Sequence, residues 1–165
     1  MTIQPVTPML SVHLRRATAH DIAFLTDVVL VATRAQGRHP RGFDEAGFRT
    51  GLVALTAEQV AADAPAEPRH STTYVVEIHG ERAGRLRVVR TPDFVEIAGI
   101  QLLPAHQGQG IGTHLIEQLV VEAHQAGLPA RATVQHDNPR ARAFYERLGF
   151  VAIGEEGGEA LLEAR

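Results

Sequence analysis

The spacing of apolar positions changes period several times along this chain, and each change marks an element. Val12-His13-Leu14-Arg15 alternates residue by residue and predicts a strand, after a loose N-terminal arm over residues 1–10. Thr18-Ala19-His20-Asp21 has the hydroxyl-to-carboxylate spacing of a capping box. It opens a helix with Ile22, Leu25, Val28, Val29 and Ala32 on its apolar face and Gly37 as its stop. After a basic loop at 37–43, Asp44 caps a second helix to about Leu55. Thr56-Ala57-Glu58-Gln59 reads as another box, opening a further short helix. Residues 64–71, with Pro65 and Pro68, show no periodicity and form a linker too short to divide domains. Three strands follow: Thr72–Ile78, Gly84–Arg90 and Phe94–Leu103. Short turns join them, so they form an antiparallel meander. The third is the longest and is apolar on both faces apart from Glu96 and Gln101, which predicts a central place in the sheet.

Beyond residue 103 helices and strands alternate. Ile111, Leu115, Ile116, Leu119, Val120 and Ala123 form one helix face, ended by Gly127, and Ala130–Gln135 is the next strand. A helix between two strands makes them parallel, through a right-handed crossover. Asn138 as N-cap and Pro139 at the first position open a helix to Leu148, stopped by Gly149. Phe150–Ile153 and Glu159–Glu163 are two last short strands. The whole, residues 1–165, is one α/β domain: a mixed central sheet with an antiparallel N-terminal meander and flanking helices.

Composition narrows what such a domain does. The chain contains no cysteine, which excludes disulfides, thiolate metal sites and a cysteine nucleophile. Nine histidines show no ligand spacing, so no metal is assigned. A net charge of −3 argues against a nucleic-acid partner. No apolar run reaches the roughly 18 residues of a membrane span, and Met1–Leu10 lacks a secretory pattern, so a cytoplasmic location is expected. All sixteen basic residues are arginine, which leaves no lysine for a phosphate loop or a Schiff base.

The strongest chemical signal is Ile100-Gln101-Leu102-Leu103-Pro104-Ala105-His106-Gln107-Gly108-Gln109-Gly110-Ile111-Gly112-Thr113. It joins a strand end, a proline stop, a glycine turn and a helix N-terminus, which together offer convergent amides to an anion. A phosphate loop requires the missing lysine. A dinucleotide fingerprint requires G-x-G-x-x-G after an early strand, whereas this turn reads G-x-G-x-G and comes late. A plain helix-capping turn also accounts for the glycines.

Gln107-Gly108-Gln109-Gly110-Ile111-Gly112 resembles the Q/R-x-x-G-x-G/A signature of the GNAT superfamily of N-acetyltransferases. Asn138-Pro139-Arg140-Ala141-Arg142-Ala143-Phe144-Tyr145-Glu146-Arg147-Leu148-Gly149-Phe150 resembles its second signature, N-x-x-A-x-x-x-Y-x-x-x-G-F. The detailed match covers roughly residues 94–154. The resemblance implies that fold, with its parallel strand pair splayed at the site for acetyl-CoA as cosubstrate. It implies that the turn Gln107–Thr113 holds the pyrophosphate, that backbone groups around Leu102 and Leu103 pair with the pantetheine arm, and that Asn138 and Ala141 lie beside it. A bulge in the fourth strand would produce the splay, but none is visible in the sequence.

Transfer of an acetyl group to an amine requires a base, an oxyanion donor and an acid for the departing thiolate. Tyr145 occupies the family's tyrosine position and is the expected acid. Glu96, the lone carboxylate of the central strand, is the expected base, directly or through an ordered water. The competing reading pairs Glu96 with Arg85 or Arg87 on the neighbouring strand. Arg140 and Arg142 either meet the CoA 3′-phosphate or line a solvated helix face, and His136 reads as a solvent-exposed strand-end histidine. The loop with Arg38, His39, Arg41 and Phe43 lies where this fold binds its acceptor, and its charge suits a small amine that also bears an acid. The expected partner is thus a small-molecule primary amine, without nucleic acid or membrane, and a homodimer is among the assemblies the family forms. The alternatives are a CoA-binding sensor or accessory protein without turnover, and an acyltransferase for a longer acyl group.

Overall fold

The computed structural model describes residues 11–38, 42–64 and 66–165; the N-terminal arm and Pro65 fall outside them. Seven strands and four helices are present among the described residues. In chain order they are β1 (Val12–Arg16), α1 (Ile22–Ala35), α2 (Glu45–Ala61), β2 (His70–Ile78), β3 (Glu81–Arg90), β4 (Val95–Leu102), α3 (Ile111–Gln125), β5 (Ala130–Val134), α4 (Pro139–Arg147), β6 (Val151–Glu156) and β7 (Glu159–Ala164). The sheet order is β1-β2-β3-β4-β5-β7-β6. The meander β2-β3-β4 is antiparallel and β4 pairs with β5 in parallel, as the connections dictate.

The capping box forms: the Thr18 backbone N–H donates to the Asp21 carboxylate at 2.9 Å. It opens a short 3-10 turn, Ala19–Asp21, that runs into α1. The second box does not act as one. Helix α2 passes through Thr56, which is 1% exposed. Between Leu52 and Ala61 no glycine or proline interrupts the ladder, so the helix has no reason to stop. β4 is central, fourth of seven, but it is not the longest strand. It has 8 residues against 10 in β3 and 9 in β2. Thr91 and Phe94 are tied in a turn at one end, and Pro104 starts a 3-10 turn at the other.

One face of the sheet packs on α3 and α4 through Leu86, Val88, Ile97, Ile116, Leu119 and Phe150. On the other face lie α1 and α2, with Gln59 of α2 bonded to Arg85 of β3 and Asp63, just past the end of α2, bonded to Arg87. Two irregularities of β4 position everything below. Arg87 pairs with Gly99 and Val88 with Ile97, so Ala98 is an extra residue, a bulge. On the opposite edge, β4 pairs with β5 only over Val95–Ile97, opposite Ala130–Ala132. Beyond that point the two strands part.

Candidate active site

The parting of β4 and β5 opens a groove of about 780 Å³. One wall is Ala98–Leu102 of β4, another Thr133 and Val134 of β5, and the floor is the N-terminus of α3. Ala141, Phe144 and Tyr145 of α4 close one side, and Val29, Ala32, Thr33 and Gln36 of α1 with Phe43 and Phe48 close the other. Both sequence signatures therefore meet across one cavity.

The glycine turn acts through its backbone. Gly108 and Gly110 have φ of 71° and 78°, the left-handed region that glycine adopts at no steric cost. Gly110 is the N-cap of α3, so the amides that follow it have no partner within the helix. Gln107, Gly108, Gly110, Ile111, Gly112 and Thr113 line the groove; Gln109 does not, its side chain donating to the Ala105 carbonyl at 2.9 Å.

Gln107 has a further task. The Leu103 N–H donates to the Ala83 carbonyl on β3 at 2.8 Å. Alternation then turns the N–H and C=O of Leu102, paired opposite Gly84, away from β3 and into the opening. The Gln107 Nε2 donates to that Leu102 carbonyl at 2.9 Å. The carbonyl thus accepts from Gln107, while the Leu102 N–H faces the opening. Leu102 lines the groove, whereas Leu103 does not.

On the facing side, the Asn138 side chain accepts from the Ala141 N–H at 3.1 Å, the N-cap bond expected of it. Asn138, Ala141 and Arg140 line the groove. Arg142 is instead paired with Glu146 on its own helix, and exposed His136 lies 3.4 Å from Glu155. Tyr145 is 6% exposed, with edge contacts to Phe144 and Phe150 at 5.3 and 5.2 Å between ring centres. Its hydroxyl makes no hydrogen bond among the described residues. Burial holds its pKa above the ordinary phenol value, so it stays protonated.

Glu96 does not line the groove. It sits two residues before the bulge, on the ladder between Val89 of β3 and Arg131 of β5. Neither arginine proposed as its partner bonds to it: Arg85 donates to Gln101 and Gln59, and Arg87 to Asp63, Ser71 and Thr73. Burial, then the charge of Glu156, raises its pKa above the usual carboxylate value, against Arg69 and Arg131. The carboxylate on the groove wall is Glu159, at the start of β7, which sequence reasoning did not single out because a hairpin brings it there. Of the basic loop, His39 and Arg41 lie outside the described residues. Arg38 lines the groove but is engaged, donating to Gln135 and, at 3.1 Å, to Asp137.

Comparison with known proteins places this geometry. The sequence model of the acetyltransferase (GNAT) family matches residues 42–150. A 5-NmdU N-acetyltransferase of Pseudomonas phage PaMx11 is 34% identical over 109 residues, 64% of this chain and 76% of that protein. The N-alpha-acetyltransferase RimI of Mycobacterium tuberculosis is 40% identical over 73 residues, 44% of this chain and 45% of that protein. Among solved structures, PaiA N-acetyltransferase of Thermoplasma acidophilum, in complex with coenzyme A, superposes with a TM-score of 0.76 at 16% identity, covering 94% of this chain and 99% of that one. An Elizabethkingia anophelis acetyltransferase with acetyl-CoA bound gives 0.61 at 14% identity, covering 96% and 99%.

Proposed function

The chain belongs to the GNAT family of acetyltransferases, and on that premise we propose that it moves an acetyl group from acetyl-CoA to the primary amine of a small molecule. The observation that carries this is the parting of β4 from β5 after Ile97, beside the left-handed N-cap at Gly110. The turn's amides suit a pyrophosphate. The Leu102 N–H suits an amide of the pantetheine arm or the acetyl carbonyl, where it would stabilise the oxyanion as the amine attacks.

The amine loses a proton as it adds to the thioester carbon, and the C–S bond then breaks. Tyr145 gives its proton to the departing sulfur; burial keeps the phenol protonated until that moment. Glu96 takes the amine's proton through an ordered water, since its side chain stands off the groove wall. Glu159, which is on that wall, is the second candidate for the base. The relatives, a 5-NmdU N-acetyltransferase and an N-alpha-acetyltransferase, support an amine acceptor.

The test is calorimetric titration with acetyl-CoA, CoA and longer acyl-CoAs, followed by thiol release against an amine panel. Expected is acetyl-CoA binding with amine-dependent thiol release. Binding without release from any amine would make the protein a CoA sensor, and preference for a longer chain would make it another acyltransferase.

A further inference from the structure

One side chain ties the end of β4 to the glycine turn. The peptide between Leu102, the last residue of β4, and Leu103 is held on both sides. Toward β3 the Leu103 N–H donates to the Ala83 carbonyl at 2.8 Å. Toward the groove the Leu102 carbonyl accepts from Gln107 Nε2 at 2.9 Å. The intervening chain is compact: Pro104–His106 forms a 3-10 turn, and the Gln107 N–H donates to the Pro104 carbonyl at 3.2 Å. Those bonds bring the Gln107 side chain back beside the strand the chain has just left. The residue is half-buried and lines the groove, and Gly108, in the left-handed region, follows it.

Gln107 does part of what a neighbouring strand would do. Beyond Ile97, β4 has no ladder partner on the β5 side. The Leu102 N–H and C=O both face that side. Backbone groups withdrawn from water need partners. Gln107 donates to the carbonyl, and the N–H is left facing the opening. The strand end is therefore a better donor than acceptor. An extended ligand arm built from amides carries both kinds of group. A carbonyl that already accepts one bond draws a second donor less strongly, so such an arm settles with a C=O on the Leu102 N–H. Exchanging that bond for an N–H on the Leu102 carbonyl slips the arm along the strand and carries the group at its end out of place. A misplacement of about 1 Å can cost about a hundredfold in rate.

We propose that Gln107 is a positioning residue for acetyl transfer. By donating to the Leu102 carbonyl it fixes the register in which the amides of the acetyl-CoA arm pair with β4, and so the place of the thioester carbon. It acts through Leu102, while the amides of the turn take the pyrophosphate. The proposal rests on the acetyl-CoA reading of the groove. It also accounts for the first position of the turn's signature, glutamine or arginine, whose side chains differ in charge and both end in N–H donors.

Gln107→Leu and Gln107→Met keep an apolar stem and remove the donor, while Gln107→Arg keeps a donor. Amide hydrogen exchange in the protein·CoA complex reads arm pairing without turnover. Exchange at Leu102 should be at least tenfold faster in Gln107→Leu and Gln107→Met than in the wild type, and within threefold of it in Gln107→Arg. Thiol release from acetyl-CoA in the presence of an amine should show kcat at least tenfold lower in the two donorless variants and recovered in Gln107→Arg. Calorimetric affinity for acetyl-CoA should fall no more than threefold in any of them, because the turn's backbone amides are untouched. Equal protection of Leu102 in the donorless variants and the wild type overturns the proposal. So does a kcat that Gln107→Arg fails to recover, or a loss of acetyl-CoA affinity that matches the loss of kcat, which marks a merely structural bond. CoA binding to the wild type without thiol release from any amine overturns only the enzymatic reading, and the exchange at Leu102 then decides whether Gln107 sets the arm.

Discussion

At the scale of single residues, the two proposed proton carriers differ in how firmly their surroundings hold them. Tyr145 lines the groove, its hydroxyl makes no hydrogen bond among the described residues, and its ring packs against Phe144 and Phe150. Tyr145→Phe keeps the packing and removes only the proton, so kcat should fall roughly tenfold to a hundredfold. Acetyl-CoA affinity, read by calorimetry, should hold. An unchanged kcat where chemistry limits turnover would remove the role. Glu96 acts only when deprotonated, and its pKa is raised, so activity should climb as pH rises through that value. Glu96→Gln should flatten this acid limb. If the limb persists in that variant and vanishes in Glu159→Gln, the base is Glu159. The burial of Arg85 was not legible in the sequence. Arg85 and Arg87 alternate with Leu86 and Val88 as solvent-facing residues do, and only the packing of α2 over that face buries them.

At the scale of elements, motif-bearing segments were legible because their signals are local. A glycine in the left-handed region, an N-cap followed by proline, and a helix between two strands each act within a few residues. The bulge at Ala98 was not, because a bulge is a relation between two strands and leaves no mark on either alone. The end of α2 failed for the opposite reason: a local capping pattern lost to an uninterrupted helix. Asn138→Ala should lower stability by about 1 kcal/mol in denaturant unfolding through loss of the cap bond. Gly110→Ala meets no atom within 4 Å, so its cost is backbone strain alone, about 1–2 kcal/mol. Because the strain falls at the α3 N-cap, acetyl-CoA binding should weaken in step. Wild-type affinity in that variant would exclude the turn from the cosubstrate site.

At the scale of the molecule, Arg15 and Asp21 tie β1, the entry to α1 and β2 together. Arg15 bonds the Asp21 carboxylate at 2.9 Å and Glu77 at 2.8 Å. Asp21 is 4% exposed, and the hydrogen bond from Arg15 holds its pKa well below 3.8, its ordinary value. A depressed carboxylate pKa stabilises the fold above the unfolded value and ceases to as pH falls toward the folded one. Thermal stability should therefore decline on acidification below about pH 4, and less steeply in Asp21→Ala, itself destabilised by about 2–3 kcal/mol. The meeting of β4 and β5 over only three residue pairs has its own consequence at this scale. The sheet is one hydrogen-bonded fabric at its Val95 end and two at its Leu102 end. Amide hydrogen exchange should read that seam directly. In the free protein the Val95 and Ile97 amides exchange slowly, while the Leu102 amide exchanges fast. Acetyl-CoA should stitch the seam shut, slowing Leu102 and leaving Val95 as it was.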